Sequence, residues 1–395
     1  MDIKLSQRVQ RVKPSPTLAV SARAAELRAE GKDIIGLGVG EPDFDTPEHI
    51  KNAAIEAIHQ GQTKYTAVDG TAPLKQAIID KFKRDNNFDY TADQILVSSG
   101  GKQSFYNLCQ AALDEGDEVI IPAPYWVSYP DMVLLADATP ITVLAGKDQG
   151  FKITADQLRA NLTDKTRLFV INSPSNPTGL AYQRHELEAL AEVLREYPDV
   201  LIATDDMYEH ILWNEEGFSN ILMVAPDLYD RTIVLNGVSK AYSMTGWRIG
   251  YAGGPADLIK NMKKVQSQST SNPSSISQAA TIEALNGDQS CVQTMLQAFK
   301  ERHDYLVKAL NDIPGFSCLP GDGTFYAFPD VSEAISAIDG VENDLDFAEF
   351  LLNETGVALV PGSAFGMEGA IRLSFATSLE VLNDALARLK KFSES

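Results

Sequence analysis

A lysine and an arginine eight positions apart follow a short apolar segment in the second half of the chain. The segment over residues 232–235 is followed by Lys240, which lies among small and hydroxyl residues, and then by Arg248. Burial at the end of a strand disfavours a charged ammonium, so we expect the pKa of Lys240 to fall. A neutral amine can form a Schiff base with a carbonyl cofactor, and the planar guanidinium of Arg248 suits a phosphate.

Two other turns after apolar segments carry residues that could hold a cofactor. Gly100 and Gly101 precede Lys102 and open a predicted helix, where backbone amides form a site for phosphate. An ordinary turn explains this glycine pair equally well. Trp126 lies in the next such turn, where its indole could stack on a flat heteroaromatic ring, although simple packing is the more usual role for an aromatic residue after prolines.

Polar residues follow two further apolar segments. Asn176 could donate a hydrogen bond to a phenolate or carboxylate oxygen, in a segment that a turn alone would explain. Asp205 ends a buried segment, where a carboxylate needs a cation or a donor. A protonated pyridine nitrogen would supply one, and Tyr208 could bond a phenolic oxygen of the same ring. The pair Asp205 and Asp206 also suits a metal or phosphoryl-transfer site, but the chain has no GxxxxGK[ST] motif.

Arg372 and a glycine-rich segment complete the set of candidates. Arg372 lies among apolar neighbours in a predicted strand, where its charge needs a partner such as a substrate carboxylate. Residues 36–42, GLGVGEP, superficially resemble a dinucleotide-binding fingerprint. The spacing of the third glycine is wrong and Pro42 stands where a helix should begin, so we reject that function.

The region that must position these residues alternates between short apolar segments and helical segments. The apolar segments predict strands that are buried on both faces; they are residues 94–98, 118–121, 167–171, 200–203, 232–235 and 249–252. Apolar residues at helical spacing lie between them, for example over residues 185–196. This alternation predicts an α/β fold with a mainly parallel sheet flanked by helices, in which ligands bind beyond the carboxyl ends of the strands.

The pattern changes towards the C-terminus, which indicates a second folding unit. We predict a long helix over residues 288–310, then short strands among glycines and prolines, and a final helix over residues 379–392. The length of the chain fits one large domain and a smaller one. We assign the large domain to residues 48–290 and a smaller α+β domain to residues 1–47 together with residues 291–395.

Composition disfavours several classes of protein. The 395 residues include 34 basic and 54 acidic residues, and a formal net charge of -20 repels nucleic acids and anionic membranes. Three widely spaced cysteines predict reduced thiols, with Cys109 in the core, and the five histidines show no metal-ligand spacing. The sequence has no signal-peptide pattern and no apolar segment of membrane-spanning length, so we expect a cytoplasmic protein without a metal.

Together these residues resemble class I/II aminotransferases, fold-type I enzymes that depend on pyridoxal 5'-phosphate. The resemblance covers essentially the whole chain, and several independent motifs occur in the family's order. Besides the turns above, it is carried by residues 40–47 (GEPDFDTP), 64–66 (KYT) and 360–366 (VPGSAFG). Residues 100–103, 125–130 and 244–248 look most like the bacterial aspartate aminotransferase branch, which also includes prephenate aminotransferases.

The resemblance implies a role for each candidate at the cofactor. Lys240 would bond covalently to the cofactor's aldehyde carbon and, once displaced by substrate, move a proton. Asp205 would keep the pyridine nitrogen protonated, Tyr208 and Asn176 would bond the phenolic oxygen, and Trp126 would stack on the ring. The phosphate would be surrounded by Gly100, Gly101, Lys102, Ser239 and Arg248, with Tyr65 reaching in from the partner subunit of a homodimer.

The resemblance also implies the contacts with the substrate. Arg372 would pair bidentately with the α-carboxylate. The Lys102 side chain is implicated in binding a distal carboxylate, and Thr17 matches a position associated with dicarboxylates and prephenate. The residues assigned to the substrate are Thr17, Gly40, Lys102, Trp126, Asn176 and Arg372.

The chain departs from the family pattern at two positions. Many relatives have Asp-Glu where this chain has Asp205 and Asp206, but the leading aspartate is kept. Gly237 stands where some relatives have a phosphate-binding serine, which shifts that contact towards Ser239 and Arg248.

We therefore expect a homodimeric aminotransferase of biosynthetic amino-acid metabolism. It would move the amino group between L-aspartate and 2-oxoglutarate in a ping-pong cycle, with prephenate as a further acceptor, and substrate would draw the small domain inward. Aromatic or prephenate-specific aminotransferases are alternatives, as is a fold-type I lyase or an enzyme forming aminocyclopropane carboxylate. A cofactor-sensing transcription regulator is disfavoured, because the chain is acidic and its aminotransferase pattern begins by Lys13 and Pro14.

Overall fold

The structure is a computed structural model that describes residues 3–393. Its strands are β1 (Ile35–Gly36), β2 (Ile95–Ser98), β3 (Glu118–Ala123), β4 (Thr139–Leu144), β5 (Thr166–Asn172), β6 (Leu201–Asp205), β7 (Thr232–Gly237), β8 (Gly250–Gly253), β9 (Tyr326–Ala327), β10 (Val357–Ala358), β11 (Val360–Pro361) and β12 (Ile371–Ser374).

The helices alternate with these strands through the first two thirds of the chain. They are α1 (Gln7–Arg11), α2 (Pro16–Ala29), α3 (Glu48–His59), α4 (Ala72–Lys81), α5 (Gly101–Ala112), α6 (Ser128–Leu135), α7 (Ala155–Asn161), α8 (Arg184–Arg195), α9 (Ile221–Val224), α10 (Ala256–Ser267), α11 (Ser275–Asn286), α12 (Ser290–Asn311), α13 (Ser332–Ser336), α14 (Asp344–Thr355) and α15 (Leu379–Ser393). A π-helical turn, Phe82–Asn86, continues α4.

The central sheet is mainly parallel, as the sequence predicts. Among the described residues its order is β2-β8-β7-β6-β5-β3-β4. Strands β3 to β7 run parallel to one another, whereas β8 is antiparallel to both β2 and β7. Strand β4 was not among the predicted strands, because it lies at the sheet edge and is largely exposed, so it lacks the continuous apolar pattern of the buried strands.

Helices cover both faces of this sheet and bury alternate residues of each strand. Val119 and Ile121 of β3 pack into one core with Phe105 of α5 and Met262 of α10. Ile120, between them, points into a different core that contains Leu187, Leu190 and Leu194 of α8. This two-sided burial explains why the strands are apolar throughout instead of alternating. Cys109 is buried in the first of these cores, as predicted.

The C-terminal elements form a separate core with two small sheets. One sheet has the order β11-β12-β9, and the other pairs β1 with β10. Phe299 of α12, Phe347 and Leu351 of α14, and Leu389 of α15 pack together in this core. Helix α2 from the N-terminal segment buries Ala24 and Leu27 against Leu352 and Ala358. The exact domain boundaries remain a prediction.

The candidate residues follow successive strands at one edge of the central sheet. Gly101 follows β2, Trp126 follows β3, Asn176 follows β5, Asp205 ends β6 and Lys240 follows β7. Because the carboxyl ends of parallel strands meet at one edge, side chains distant in sequence come together there. Between residues 3 and 393, no helix has both the length and the apolar character needed to cross a membrane.

Candidate active site

A cavity of about 330 Å³ lies at the carboxyl ends of the central strands. Its wall combines cationic, acidic, hydroxyl and aromatic side chains, and so offers contacts for a ligand that carries both charge and a ring. The lining residues are Ser15, Thr17, Leu18, Gly40, Gly101, Lys102, Trp126, Val127, Asn172, Asn176, Asp205, Met207, Tyr208, Ser239, Lys240, Thr245, Arg248, Tyr326 and Arg372.

Lys240 provides an amine with a lowered pKa. Burial, then the nearby charges of Arg372 and Arg248, lower the pKa of Lys240 to about 8, against the opposing effects of Glu41 and Asp205. Its Nζ donates a hydrogen bond to the backbone oxygen of Gly40 at 2.6 Å. A lysine with this pKa has a much larger neutral fraction near physiological pH than an ordinary lysine, and the neutral amine is the nucleophilic form. The predicted fall in its pKa agrees with the structure.

Asp205 is a carboxylate that burial makes costly to ionise. Burial raises the pKa of Asp205, while hydrogen bonds from Tyr129 and from the backbone of Met207, and the charge of Lys240, act in the opposite direction. The amide of Met207 donates to Oδ1 at 3.3 Å, and the hydroxyl of Tyr129 donates to Oδ2. The environment thus favours a cationic partner for this carboxylate within the cavity.

Asn172 connects two of the strand ends that carry site residues. Its Nδ2 donates to the backbone oxygen of Asp205 at 2.9 Å, and its Oδ1 accepts from the backbone amide of Asn176 at 2.9 Å. The side chain therefore fixes the turn after β5 against the end of β6. Sequence reasoning missed Asn172, although an asparagine at the end of a buried strand is a signal of the same kind as Asp205.

Arg372 lies on β12, which brings it from the C-terminal sheet to the cavity. It is buried, with Nη1 donating to Oδ1 of Asn176 at 2.8 Å and Nη2 donating to the oxygen of Gly38 at 2.6 Å. Its guanidinium carbon lies 4.4 Å from the ring centre of Tyr326 and 4.8 Å from that of Phe365. The Nε has no hydrogen-bond partner among residues 3–393. A carboxylate would satisfy this donor.

Tyr208 and Tyr326 form a pair of buried hydroxyls at the same end of the cavity. Their oxygens are 2.9 Å apart, and burial together with this neighbour raises the pKa of Tyr208 well above its ordinary value. The protonated hydroxyl can therefore donate to a ligand oxygen. Tyr326 was not predicted as a site residue, because an aromatic residue in a short strand is equally typical of a core position.

The turn after β2 forms a cradle next to a guanidinium. Gly100 has a φ of +91°, and a Cβ at this position would lie 2.2 Å from Nη2 of Arg248. Helix α5 begins at Gly101, so its first amides are directed outward without helical acceptors. Ser239 and Arg248 line the same cavity. Free amides, a hydroxyl and a guanidinium together match the chemistry of a phosphate.

Lys102 and Trp126 meet at another part of the cavity wall. The Nζ of Lys102 lies 5.1 Å from the ring centre of Trp126, and burial, then Arg248, lower the pKa of Lys102. Thr17 from α2 lines the cavity, and its Oγ1 is buried without a partner in the described part of the chain. A cation and a free hydroxyl are therefore available to a second anionic group.

The cavity brings together most of the predicted site residues. Gly100 lies behind the wall, where it leaves room for Arg248, and Tyr65 lies outside, 92% exposed, beside Thr63, Lys64 and Asn272. The residues that sequence reasoning did not assign to the site are Ser15, Leu18, Val127, Asn172, Met207, Thr245 and Tyr326.

A buried charged cluster lies next to the turn that carries Asp205 and Tyr208. Lys81 forms an ion pair with Glu209, and its Nζ lies 3.7 Å from Asp85. Asp85, Glu209 and His210 place potential metal-ligand atoms within 4.8 Å of one another. The ammonium of Lys81 already compensates these carboxylates, so the arrangement is that of a structural ion pair.

Comparisons with known proteins agree with this geometry. The family model described as aminotransferase class I and II matches residues 32–389. The aspartate/prephenate aminotransferase of Nitrosomonas europaea is 62% identical over 98% of this chain and 99% of its own length. The crystal structure of the Rhizobium meliloti aspartate aminotransferase superposes with a TM-score of 0.97 at 47% identity, covering 100% of this chain and 99% of the other. The Thermus thermophilus aspartate aminotransferase with maleate gives a TM-score of 0.92 at 43% identity, covering 99% of this chain and 100% of that one.

Proposed function

Because the chain belongs to the class I and II aminotransferase family, we propose that it is an aspartate aminotransferase that uses pyridoxal 5'-phosphate. The reaction moves the amino group between L-aspartate and 2-oxoglutarate, and prephenate serves as a further acceptor. The observation that carries the proposal is that Lys240, Asp205 and Arg372 line one cavity, with the pKa of Lys240 lowered to about 8.

The residues of the cavity fit this cofactor. Gly100 and Gly101 have no side chains, so the guanidinium of Arg248 can approach the backbone of the cradle. Backbone amides next to a guanidinium suit the phosphate. The half-buried carboxylate of Asp205 suits a protonated pyridine nitrogen, and the hydroxyl of Tyr208 suits the phenolic oxygen. The indole of Trp126 offers a flat apolar surface for the ring.

When bound, the cofactor supplies an aldehyde that accepts an amine and a ring that withdraws electrons from the substrate's α-carbon. Lys240 contributes the amine that would hold the cofactor. When released, this amine would take the proton from the substrate's α-carbon and deliver it to the cofactor's former aldehyde carbon. Its lowered pKa favours both roles, since a general base works best with a pKa near the operating pH. Gly40 holds the amine nitrogen through its carbonyl.

Substrate recognition uses two cations at different parts of the wall. Arg372 binds the α-carboxylate, aided by Asn176 and the amide of Gly40; its unpartnered Nε and the second N–H of a terminal nitrogen are the donors left for two parallel hydrogen bonds. Lys102 and Thr17 bind the distal carboxylate. Two separate anion sites favour a dicarboxylic amino acid, and the Thermus thermophilus relative was solved with maleate, a dicarboxylate.

The assembly and the location of the protein are part of the same proposal. The 92% exposure of Tyr65 supports a homodimer, because a large aromatic ring left in solvent can contact the partner's phosphate site. The separate C-terminal core supports a large domain over residues 48–290 and a small domain of residues 1–47 with 291–395. We place the enzyme in the cytoplasm.

The test is a panel of amino donors and keto acids assayed with the purified, cofactor-supplied enzyme. We expect oxaloacetate from aspartate and 2-oxoglutarate, amination of prephenate, and an aspartate-dependent change in the cofactor absorbance without any keto acid. Release of ammonia or of a thiol in place of amino transfer would indicate a lyase and reject the proposal.

A variant of Lys102 tests the assignment of the distal carboxylate. Lys102→Gln should lower kcat/KM for aspartate by about 10- to 100-fold, because a hydrogen bond to a charged group contributes about 1.5–3 kcal/mol. The kcat/KM for phenylalanine should change by less than about threefold, because phenylalanine has no distal carboxylate for Lys102 to bind. Lys83→Gln, at an exposed position on the π-helical turn, is the control. An equal loss for both substrates would contradict the assignment.

A further inference from the structure

Tyr129 is a buried tyrosine immediately behind the proposed cofactor site. It lies in the first turn of α6, and its backbone amide donates to the oxygen of Trp126 at 3.1 Å. Its ring meets that of Trp126 edge to face, with 5.2 Å between centres and 86° between planes. The ring of Tyr129 also contacts that of Phe105 of α5, with 4.9 Å between the ring centres. The ring is therefore fixed between the indole and the helix that begins at the phosphate cradle.

The hydroxyl of Tyr129 is directed at the carboxylate of Asp205. It donates a hydrogen bond to Oδ2, while Oδ1 accepts from the amide of Met207 at 3.3 Å. Each carboxylate oxygen can accept more than one hydrogen bond, so both retain capacity for a ligand. With one donor on each oxygen, the carboxylate is held in one rotational position.

We propose that Tyr129 is a positioning residue that orients the carboxylate of Asp205 towards the ring nitrogen of pyridoxal 5'-phosphate. This inference rests on the proposed function and adds a residue that the family resemblance did not assign. Tyr129 does not touch the cofactor in this account; it acts through Asp205.

The electrostatics of the pair support a fixed direction for the hydrogen bond. Burial, then the charge of Asp205, raise the pKa of Tyr129 well above its ordinary value, so the hydroxyl keeps its proton and remains the donor. Burial raises the pKa of Asp205, and the bond from Tyr129 is the largest of the effects that oppose it. Tyr129 therefore favours the ionised carboxylate, the form that pairs with a protonated nitrogen.

The same side chain links Asp205 to the ring-stacking residue. Trp126 and Tyr129 are three positions apart and their rings are in contact, so the position of the indole and that of the carboxylate depend on one aromatic residue. Tyr129→Phe keeps the ring and its packing and removes only the hydroxyl. This makes the hydrogen bond separable from the packing by experiment.

The experiment compares two cofactors on the cofactor-free protein. One is pyridoxal 5'-phosphate, and the other is its carbocyclic analogue, in which CH replaces the ring nitrogen. Dissociation constants are measured by tryptophan fluorescence for the wild type, for Tyr129→Phe and for Tyr182→Phe. Tyr182 is the matched control, because its buried hydroxyl also loses a hydrogen bond, the one accepted from the amide of Ile153 at 2.9 Å, away from Asp205.

We expect Tyr129→Phe to weaken binding of pyridoxal 5'-phosphate by about 10- to 100-fold, the range for losing a hydrogen bond to a charged group. Binding of the carbocyclic analogue should change by less than about twofold, because Asp205 has no ring nitrogen to meet. Tyr182→Phe should affect neither cofactor by more than about twofold.

Two results would overturn the inference while leaving the proposed function intact. An equal loss of affinity for both cofactors would mean that Tyr129 acts through packing. Unchanged affinity for both would mean that the hydroxyl does not orient Asp205. Failure of the wild-type protein to bind pyridoxal 5'-phosphate is a different result, since it would reject the proposed function itself.

Discussion

The amine nitrogen of Lys240 lies 2.6 Å from the backbone oxygen of Gly40, to which it donates a hydrogen bond. Gly40 follows β1 in the N-terminal segment, whereas Lys240 follows β7 in the central sheet. Tyr326 packs against Gly40 so closely that a Cβ there would lie 2.5 Å from its hydroxyl. A carbonyl can accept from an ammonium or from a neutral amine, so the contact holds the nitrogen in either protonation state.

Replacement of Lys240 by methionine should abolish catalysis. Lys240→Met removes both the amine proposed to hold the cofactor and the proposed base, and we expect kcat to fall by at least about 10⁴-fold, the upper range for a lost general base. The measurement is the steady-state rate of oxaloacetate formation. Lys264→Met, at an exposed position of α10, should keep the wild-type rate. Residual activity within about tenfold of the wild type would contradict the role of Lys240.

Lys240→Met should also stabilise the cofactor-free protein at neutral pH. The pKa of Lys240 is about 8 in the folded protein and 10.5 ordinarily, so below pH 8 folding must bury a charge. The cost is about 3 kcal/mol at most, from 1.36 kcal/mol per pKa unit. As the pH rises from 8 to 10.5 the unfolded chain binds more protons than the folded one, and the wild type gains stability.

We therefore expect Lys240→Met to exceed the wild type in free energy of unfolding by about 1–3 kcal/mol at pH 7. The difference should shrink towards pH 10. Urea unfolding of both cofactor-free proteins at each pH measures it, and a difference that is constant across this range would show that the pKa of Lys240 is not lowered.

Replacement of Arg372 by lysine should weaken substrate binding, although the positive charge is kept. A lysine cannot form two parallel hydrogen bonds with a carboxylate, so Arg372→Lys should raise KM for every amino-acid substrate by about 10- to 100-fold. Affinity for the cofactor should stay within about threefold. The control is Arg302→Lys, because Arg302 forms a bidentate pair with Asp43, at 2.7 and 3.0 Å, outside the cavity lining.

Residues at strand ends were predictable from the sequence. Asp205 and Lys240 each follow an apolar segment, and the order of segments alone places their side chains at one edge of a parallel sheet. The sequence did not indicate the neighbours of these strands in the sheet. The antiparallel direction of β8 could not be predicted, since its apolar pattern is the same as that of the parallel strands.

Contacts between distant side chains were not predictable. Tyr129 and Asp205 are 76 positions apart, and Tyr208 and Tyr326 are 118 apart. A buried tyrosine in an apolar helix has the pattern of a core residue, and only the fold shows where its hydroxyl points. Glu209 and Lys81 likewise look like surface charges in the sequence, because burial of an ion pair leaves no local signal.

Gly100 should be needed for cofactor binding in addition to its effect on folding. Gly100→Ala would set a Cβ 2.2 Å from Nη2 of Arg248 in a backbone with φ of +91°. Gly116 has a φ of +96° but no atom within 4 Å of a built Cβ, so Gly116→Ala shares the backbone strain without the clash. Both changes should destabilise folding by about 1–3 kcal/mol. Only Gly100→Ala should also weaken cofactor binding, by at least about tenfold.

Fluorescence titration of the cofactor-free variants, with urea unfolding alongside, separates the two effects. Equal cofactor affinity in Gly100→Ala and Gly116→Ala would show that Arg248 can move away without loss, and that the cradle does not require a glycine.

The buried pair of Lys81 and Glu209 should stabilise the turn that carries Asp205 and Tyr208. Lys81 is 1% exposed in its side chain; Glu209 also accepts from Asn86 and Asn236 at 2.9 and 2.7 Å. Although burial opposes it, Lys81 and His210 lower the pKa of Glu209 to about 2. Lys81→Met leaves this charge unpaired and should cost about 3–5 kcal/mol in free energy of unfolding at pH 7.

Adding Glu209→Gln to Lys81→Met should recover most of that loss, because the double variant has no unpaired charge and the Gln oxygen can still accept from one of the two asparagines. The pair's contribution in the wild type should also fall as the pH drops from 4.5 towards 2, since protons then bind Glu209 in the unfolded chain before they bind it in the folded one. Urea unfolding of the single and double variants at pH 7 and pH 4 measures both effects. If the double variant lost as much free energy of unfolding as the two single variants together, the two side chains would act independently. The ion pair would then not be what stabilises this turn.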